Sequence, residues 1–511
     1  MKRLLIRVDA TTPIGGGHIM RCLALAQAWQ AEGGQAIFLS HCESDALRQR
    51  ITDEGMEFIP VAYPHPDPRD LHTTLEILRK HFNAATGNQK AKNGNKNWLV
   101  LDGYHFDVIY QQAVRAAGHC LLVIDDMAHL PAYHADILLN QNLGAENLKY
   151  DCDPATSLLL GPRYALLRQE FLVWRGWRRE IPDMALKVLV TMGGGDPDNV
   201  TLKVTEALSQ VKIDSLEVVV VAGGSNPHFQ KLECAVRGLR VPVRLVRNAV
   251  NMPELMTWAD IAVTGGGSTC WELAFMGLPS VVLTLAENQK AIAENLDTAG
   301  VAVNLGWHEQ VPTADITEAI NRLVRSPEKR SEMTCKVQAM IDGLGANRIV
   351  KEIAAQPLVL RWVTKSDCEL LWEWVNDSDV RASSFRSEYI PMEEHKRWFY
   401  GKIDDARCFH FVGLNSGRAP VGQVRFDVSD NEAEVDVSVA RIHRGKGYSS
   451  ELIRKGIQTL LKETAVRTVH AFVKPGSRAS LQAFLKAGFV RRGMETVKGQ
   501  NAEHLTWKRK E

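Results

Sequence analysis

The chain has 511 residues, 45% of them hydrophobic and 24% charged, which is typical of a soluble globular protein with room for about three domains. Its formal net charge of +1 argues against nucleic acid or an acidic membrane surface as a partner. Nine cysteines, with no Cys-x-x-Cys pair, predict reduced thiols. No signal-like or membrane-spanning segment is evident, so we expect a cytoplasmic protein.

The first predicted unit is a strand, a glycine loop and a helix. An apolar run at 4–8 precedes Gly15, Gly16, Gly17 and His18, and apolar residues then recur every three or four positions up to Trp29. Free amides at such a helix start favour an anion, and glycines let a phosphate approach the backbone. His18 beside that anion is a candidate general base. A tight turn with a capping histidine fits the same residues.

The whole string at 9–26 resembles the N-terminal signature of the UDP-sugar hydrolases of pseudaminic acid biosynthesis. Those enzymes release 2,4-diacetamido-2,4,6-trideoxy-L-altrose from its UDP conjugate. The histidine after their glycine loop is the proposed base for water, and the match places that role on His18. The resemblance also implies UDP-sugar contacts at Gly15, Gly16, Gly17 and Arg21.

Strands and helices alternate through the rest of this region, which predicts a parallel sheet with helices on both faces. Ligands bind at the carboxyl ends of such strands, so Asp102 and Tyr104 are candidate UDP-sugar contacts, although an aspartate there often only caps a helix. Four further side chains could suggest a metal: Asp125, Asp126, His129 and His134. No second recognisable set of metal-ligating residues accompanies them in the sequence, and the hydrolase family requires no metal. We expect solvated loop residues and no bound metal.

A second alternating unit begins near residue 185 and carries a dense motif at 259–280, again strand, glycine loop and helix. Its loop amides can meet a diphosphate, and Glu272 can accept hydrogen bonds from ribose hydroxyls, unless it is only a solvated helix residue. The motif resembles the UDP-binding segment of the lipid-II-forming GlcNAc transferase and of the hydrolase. The UDP-sugar contacts predicted in this unit are Gly266, Gly267, Ser268, Thr269, Glu272, Glu287, Asn288 and Gln289. Two doubly wound Rossmann-like lobes facing across a cleft form the glycosyltransferase-B architecture.

Beyond Pro357 the pattern changes to helices followed by an antiparallel meander, as in an α+β domain. The loop before the helix near residue 448 resembles the pyrophosphate loop of GCN5-related N-acetyltransferases. The resemblance implies acetyl-CoA contacts at Arg444, Gly445, Lys446, Gly447, Tyr448 and Ser449. Ser449 departs from the usual glycine or alanine of that loop. Phe484 stands where many members have a tyrosine that protonates the leaving thiolate, and it has no proton to donate.

No single motif identifies the base for acetyl transfer. Glu434, Asp436 and His443 lie near the sheet edge where an acceptor amine would enter, and they are base candidates unless they are simply polar surface residues. Residues 371–399 resemble the acetyltransferase of the same pathway, which acts on the 4-amino group of the precursor UDP-sugar. Ribosomal-protein N-acetyltransferases share part of the pattern at the start of this domain.

The predicted domains are residues 1–165, 166–352 and 357–511. We expect a bifunctional enzyme that hydrolyses the UDP-sugar and N-acetylates its precursor, with acetyl-CoA as co-substrate, UDP-amino sugars as partners, and no metal, nucleic acid or membrane. Two alternatives stay open. One is a glycosyltransferase that hands the sugar to an acceptor, and the other is a nucleotide-sugar-binding module fused to a protein N-acetyltransferase.

Overall fold

The computed structural model describes residues 3–83, 97–153, 156–239, 241–354, 358–415, 419–445 and 447–509. Pro357, the predicted start of the third domain, and Lys446, a predicted acetyl-CoA contact, lie outside these residues. The chain divides into two compact units, one ending at Ile353 and the other beginning its C-terminal part at Ala354. Within the described ranges, no helix has the length and apolar character needed to cross a membrane.

The first lobe of unit 1 is a parallel sheet in the order β3-β2-β1-β4-β5-β6-β7. Its strands are β1 (Arg3–Val8), β2 (Gln35–Ser40), β3 (Glu57–Pro60), β4 (Trp98–Asp102), β5 (Cys120–Ile124), β6 (Ile137–Asn140) and β7 (Ser157–Leu160). Its helices are α1 (Gly17–Ala31), α2 (Asp45–Asp53), α3 (Pro68–Asn83) and α4 (Val108–Ala116), and α5 (Gln169–Leu172) follows the lobe. Leu4 and Ile6 pack with α1 on one face, while Leu5 packs with α3 and α4 on the other. A strand covered on both faces explains the continuous apolar run of β1.

The second lobe repeats this plan with a six-stranded parallel sheet in the order β10-β9-β8-β11-β12-β13. Its strands are β8 (Lys187–Thr191), β9 (Glu217–Ala222), β10 (Val243–Arg247), β11 (Ile261–Gly265), β12 (Ser280–Thr284) and β13 (Val303–Trp307). Its helices are α6 (Val200–Ser209), α7 (Phe229–Val236), α8 (Met252–Trp258), α9 (Thr269–Phe275), α10 (Glu287–Thr298), α11 (Thr313–Arg325) and α12 (Pro327–Met340). Two doubly wound lobes of this kind confirm the predicted glycosyltransferase-B architecture.

The last helix of unit 1, α13 (Gly345–Ala354), returns to the first lobe. Its apolar side chains Ala346, Ile349 and Val350 belong to the same core as α1. A Cβ at Gly345 would lie only 2.2 Å from the carbonyl oxygen of Ala165, so a glycine is needed for this close approach. The predicted second domain, 166–352, therefore includes most of a helix that packs on the first lobe. The apolar face of α13 completes the core of that lobe.

Unit 2 is an α+β domain, as predicted, with a seven-stranded sheet in the order β14-β15-β16-β17-β18-β20-β19. Its strands are β14 (Val359–Trp362), β15 (Cys408–Leu414), β16 (Pro420–Ser429), β17 (Glu432–Val439), β18 (Thr468–Val473), β19 (Val490–Val497) and β20 (Gln500–Lys508). Its helices are α14 (Cys368–Val375), α15 (Ser378–Ser383), α16 (Met392–Ile403), α17 (Tyr448–Glu463) and α18 (Arg478–Lys486). The parallel strands β17 and β18 pair over only three residues each, and the pairing ends at Glu434 and His470.

Candidate active sites

A cleft of about 1020 Å³ lies between the two lobes of unit 1. The glycine loop and the first turn of α1 form part of its first-lobe wall, and His18 and Arg21 both line it. The loop at 193–195, together with Gly267, Ser268, Thr269 and Glu272, contributes to the second-lobe wall. The two glycine loops predicted from the sequence therefore open into one cavity.

His18 and Arg21 share a buried carboxylate at the end of β4. The Asp102 side chain is fully buried, and its Oδ1 lies 2.7 Å from His18 Nδ1. Arg21 donates to both carboxylate oxygens, from Nε to Oδ2 at 2.7 Å and from Nη2 to Oδ1 at 2.6 Å. Burial acts to raise the pKa of Asp102, but the charge of Arg21 and the contact with His18 bring it below its usual range. The carboxylate is therefore ionised at neutral pH.

A second carboxylate, Asp126, anchors the other end of Arg21. Arg21 Nη1 lies 3.0 and 2.7 Å from its two oxygens, and Asn142 Nδ2 donates to it at 2.7 Å. The Tyr104 hydroxyl donates to Asp126 as well, and burial followed by the charge of Asp126 raises the pKa of this phenol. The Tyr104 ring meets the His18 ring edge-on, with centroids 5.0 Å apart. His18, Arg21 and Tyr104 thus belong to one hydrogen-bonded network.

This network corrects two expectations from the sequence. Asp102, a predicted sugar contact, is fully buried and hydrogen-bonded to His18. It is not among the described residues that line the cleft. Asp125 and Asp126, expected to be solvated, are both buried. Asp125 accepts hydrogen bonds from the amides of Met127 and Ala128 and pairs with His129 Nδ1 at 2.6 Å. His134 contacts Gln112, and no group of three metal-ligating side chains forms within the described residues.

The second-lobe loop is held from behind by Gln289. The Gly266 amide donates to the Leu283 carbonyl at 3.1 Å and to Gln289 Oε1 at 3.0 Å, and that oxygen also accepts from the Leu285 amide. The Gly266 amide is therefore already occupied within the protein. The loop residues that line the cleft are Gly267 and Ser268, followed by Thr269 at the start of α9.

Glu272 faces the cleft and is paired with an arginine of the segment that links the lobes. Arg168 donates to Glu272 Oε1 from Nε at 3.0 Å and from Nη2 at 2.8 Å. Its Nη1 donates to Glu170, which also accepts from Arg50 of the first lobe at 3.1 Å. Burial raises the pKa of the Glu272 carboxyl, although Arg168 opposes the shift. Both hydrogen bonds that Arg168 donates to Glu272 end on Oε1, so within the described part of the chain Oε2 is the oxygen left to accept from a ligand.

The two lobes are joined across the cleft by Asn288. Its Nδ2 donates to the Tyr104 hydroxyl at 3.1 Å, and Gln289 lines the cleft beside it. Glu287 is exposed at the start of α10 and is not part of the described cleft lining. A further bond between the lobes joins Trp271 Nε1 to Asn142 Oδ1 at 3.2 Å. The sequence pattern does not single out Asn142 or Arg168 and predicts Asp126 only as a solvated loop residue, because their partners Trp271, Glu272 and Arg21 lie 104 to 129 positions away in the chain.

In unit 2 the predicted acetyl-CoA loop precedes a long helix. Gly445 and Gly447 have φ values of +75° and +84°, and Tyr448 and Ser449 begin α17. The Arg444 guanidinium is held by protein groups: it donates to Asp377 and Asp379 at 2.6 Å each and to the Val439 carbonyl. Its side chain therefore fastens the loop to α15.

The base candidates of unit 2 lie on or near β17. Glu434 and Asp436 are both exposed, and Asp436 lies 3.5 Å from Arg425 Nη1. Glu434 lines a cavity of about 630 Å³ together with the stacked His470 and His504 rings. His443 contacts the Tyr448 ring at 5.9 Å between centroids. Phe484 is buried and packs on Phe489, with centroids 5.1 Å apart, so it belongs to the core of the domain.

Comparison with known proteins gives two domain matches and several relatives. Residues 188–351 match the glycosyltransferase family 28 C-terminal domain, and residues 357–490 match an acetyltransferase (GNAT) domain. The uncharacterized protein MJ1062 of Methanocaldococcus jannaschii is 23% identical over 98% of this chain and 99% of its own. The spore coat polysaccharide biosynthesis protein SpsG of Bacillus subtilis is 27% identical over 42% of this chain and 63% of its own.

A third relative carries a name that matches the resemblance predicted from the sequence. The UDP-2,4-diacetamido-2,4,6-trideoxy-beta-L-altropyranose hydrolase of Campylobacter jejuni is 24% identical over 59% of this chain and 98% of its own. The predicted fusion is thereby confirmed: the chain is an enzyme in which a module related to the hydrolases of pseudaminic acid biosynthesis precedes an acetyltransferase (GNAT) domain.

Proposed function

We propose that unit 1 hydrolyses UDP-2,4-diacetamido-2,4,6-trideoxy-beta-L-altropyranose and that unit 2 acetylates the 4-amino group of its precursor UDP-sugar. The observation that carries the first activity is the shared cleft, with His18 on one wall and Gly267 to Glu272 on the other. A base and a nucleotide site on opposite walls are what cleavage of a bound nucleotide sugar requires. The name of the Campylobacter relative supports this choice of substrate.

In this proposal the second lobe holds the nucleotide. The backbone amides at 267–269 bind the diphosphate, and Glu272 Oε2 accepts hydrogen bonds from the ribose hydroxyls. Gln289 accepts a hydrogen bond from the Gly266 amide and so fixes the loop, and Arg168 favours the ionised form of Glu272. Glu272 contacts the ribose, which does not react, so its role is binding, whereas the amides at 267–269 contact the diphosphate that becomes the leaving group.

The first lobe performs the chemistry. His18 accepts a proton from water as the water oxygen bonds to the anomeric carbon. The bond from that carbon to the phosphate oxygen breaks, and UDP leaves with the electron pair. Arg21 stays bound to Asp102 and Asp126 throughout, since both its ends are occupied by carboxylates. Tyr104, joined to Asn288, contacts the sugar from the first-lobe side.

Unit 2 uses acetyl-CoA, as its GNAT domain match supports. The described loop residues before α17 and the start of that helix bind the pyrophosphate, and Glu434 or Asp436 accepts the proton lost by the acceptor amine. The amine nitrogen bonds to the acetyl carbonyl carbon, and the carbon–sulfur bond breaks. Solvent protonates the departing CoA thiolate, since Phe484 has no proton to give.

The test is incubation of the full chain with acetyl-CoA and candidate UDP-4-amino sugars, with products identified by mass spectrometry and NMR. We expect N-acetylation first, then UDP and a free reducing sugar without any added acceptor. Cleavage that occurs only when an acceptor is present would instead establish a glycosyltransferase. Tight UDP-sugar binding without cleavage, together with acetylation of peptide amines, would establish a binding module fused to a protein acetyltransferase.

A further inference from the structure

We propose that Asp102 is a positioning residue that fixes the tautomer and orientation of His18, so that Nε2 receives the proton of the attacking water. The inference rests on the proposed hydrolysis and assigns Asp102 a role other than sugar contact. Its basis is the 2.7 Å distance between Asp102 Oδ1 and His18 Nδ1, with the Asp102 side chain fully buried and the His18 side chain 10% exposed at the cleft.

The hydrogen between these two atoms belongs to the ring. An ionised carboxylate has no hydrogen and only accepts, so at 2.7 Å His18 Nδ1–H donates to Asp102. A neutral imidazole carries one ring hydrogen, and Nε2 is then left with a lone pair. Nε2 makes no hydrogen bond to any residue that the structure describes, and His18 lines the cleft. The free nitrogen is therefore available to a water molecule in the cleft.

Arg21 offers a competing donor, but the geometry favours the carboxylate. Arg21 Nη2 lies 3.2 Å from His18 Nδ1 and only 2.6 Å from Asp102 Oδ1. A guanidinium donates more strongly to a carboxylate than to a neutral ring nitrogen. Arg21 is itself held by Asp126. Both oxygens of Asp102 are thus engaged, and the carboxylate cannot turn away from His18.

Two consequences follow for the reaction. The fixed tautomer avoids the state in which Nε2 carries the hydrogen and cannot accept another. The carboxylate also stabilises the imidazolium that forms when water gives up its proton. Removing the charge of Asp102 should therefore lower the rate of the chemical step and leave the second-lobe nucleotide site unchanged.

The chain provides a matched control in the neighbouring strand end. Asp125 is also buried, follows β5, and lies 2.6 Å from His129 Nδ1, but neither residue is part of the described cleft lining. We expect Asp102→Asn to lower kcat roughly 10²- to 10⁴-fold, with UDP affinity within about twofold of wild type. Asp125→Asn should leave kcat unchanged. The double variant Asp102→Asn/His18→Ala should be no slower than His18→Ala alone, and additive losses would overturn the inference.

The tautomer of His18 can be determined by NMR without any catalytic turnover. In the wild-type full chain labelled with ¹⁵N-histidine, the His18 resonance, identified by its loss in His18→Gln, should show the hydrogen on Nδ1. A hydrogen on Nε2 would overturn the inference, even if Asp102→Asn fails to fold. If the wild type releases no UDP from any UDP-sugar, the proposed function fails, and the NMR result still decides the role of Asp102.

Discussion

Two glycine loops of unit 1, at 15–17 and 265–267, have the same local plan, strand then loop then helix, but very different surroundings. Behind the first loop lie two buried carboxylates and an arginine that hold His18. Behind the second lies Gln289, which accepts hydrogen bonds from the Gly266 and Leu285 amides, and Glu272 in the helix that follows is paired with Arg168. We infer that the first loop supplies the base that activates water and that the second holds the nucleotide, although the sequence motifs look alike.

The largest effect expected from this difference is on the first loop. His18→Ala should lower kcat roughly 10²- to 10⁴-fold, because the proton of the attacking water loses its acceptor. UDP affinity, measured by titration calorimetry, should stay at the wild-type value, since in the proposed complex the nucleotide binds to the other lobe. Wild-type turnover in this variant would remove His18 from the mechanism.

The matching change in the second loop should alter binding instead. Glu272→Ala removes the charged acceptor of the proposed hydrogen bonds that the ribose hydroxyls donate, each typically worth about 1.5–3 kcal/mol. We expect UDP to bind roughly 10- to 100-fold more weakly, with kcat at saturating substrate little changed. A loss of kcat equal to that of His18→Ala would contradict the division of labour between the loops.

A further glycine loop, in unit 2, extends the comparison. Gly447 has φ +84°, a left-handed conformation that costs an alanine about 1–2 kcal/mol. Gly447→Ala should therefore weaken acetyl-CoA binding roughly 5- to 30-fold, measured as the KM for acetyl-CoA. UDP release by unit 1 serves as the internal control and should not change.

A smaller effect is expected from the arginine that supports Glu272. Arg168→Met leaves the buried carboxyl without its cation and favours the protonated form, so UDP affinity should fall roughly 3- to 10-fold. Adding Arg168→Met to Glu272→Ala should then cause little further loss of affinity. A full additional loss would mean that Arg168 contacts the nucleotide directly.

The smallest expected effect is a pH dependence of nucleotide binding. Because burial raises the pKa of Glu272, this carboxyl protonates at a higher pH than an ordinary glutamate as the solution is acidified. UDP affinity should therefore weaken as pH falls through the raised pKa, by no more than about tenfold per pH unit. Glu272→Gln carries no titrating carboxyl, so the difference between the two pH profiles isolates this effect from the titration of UDP itself.

Much of this arrangement was predictable because it is local in the chain. The periodicity after His18 and the apolar runs before each glycine loop indicate strand–loop–helix units, and the alternation indicates parallel sheets. The pattern does not predict which side chains pair across the fold. Arg21 pairs with Asp126, and Arg168 pairs with Glu272, and the members of each pair lie about a hundred residues apart in the chain. Asp126 follows β5, which neighbours β4, so the strand-end rule selects it as it selects Asp102. That rule does not predict its contact with Arg21.

The position of α13 shows a second limit of the same kind. Its apolar face is evident from the sequence, but the pattern does not say which of two lobes the helix covers. Similarly, Gly266 lies within the predicted UDP-binding loop, and only the fold reveals that Gln289 occupies its amide. Local sequence therefore identified the loops, and tertiary contacts determine what each residue in them does.

The most direct test of attack by water on the anomeric carbon is hydrolysis of the UDP-sugar in H₂¹⁸O. With His18 activating water toward that carbon, one ¹⁸O atom should appear in the released sugar, and UDP should be unlabelled when both are analysed by mass spectrometry. Label in the terminal phosphate of UDP would show attack at phosphorus, and it would contradict the chemistry proposed for the first glycine loop.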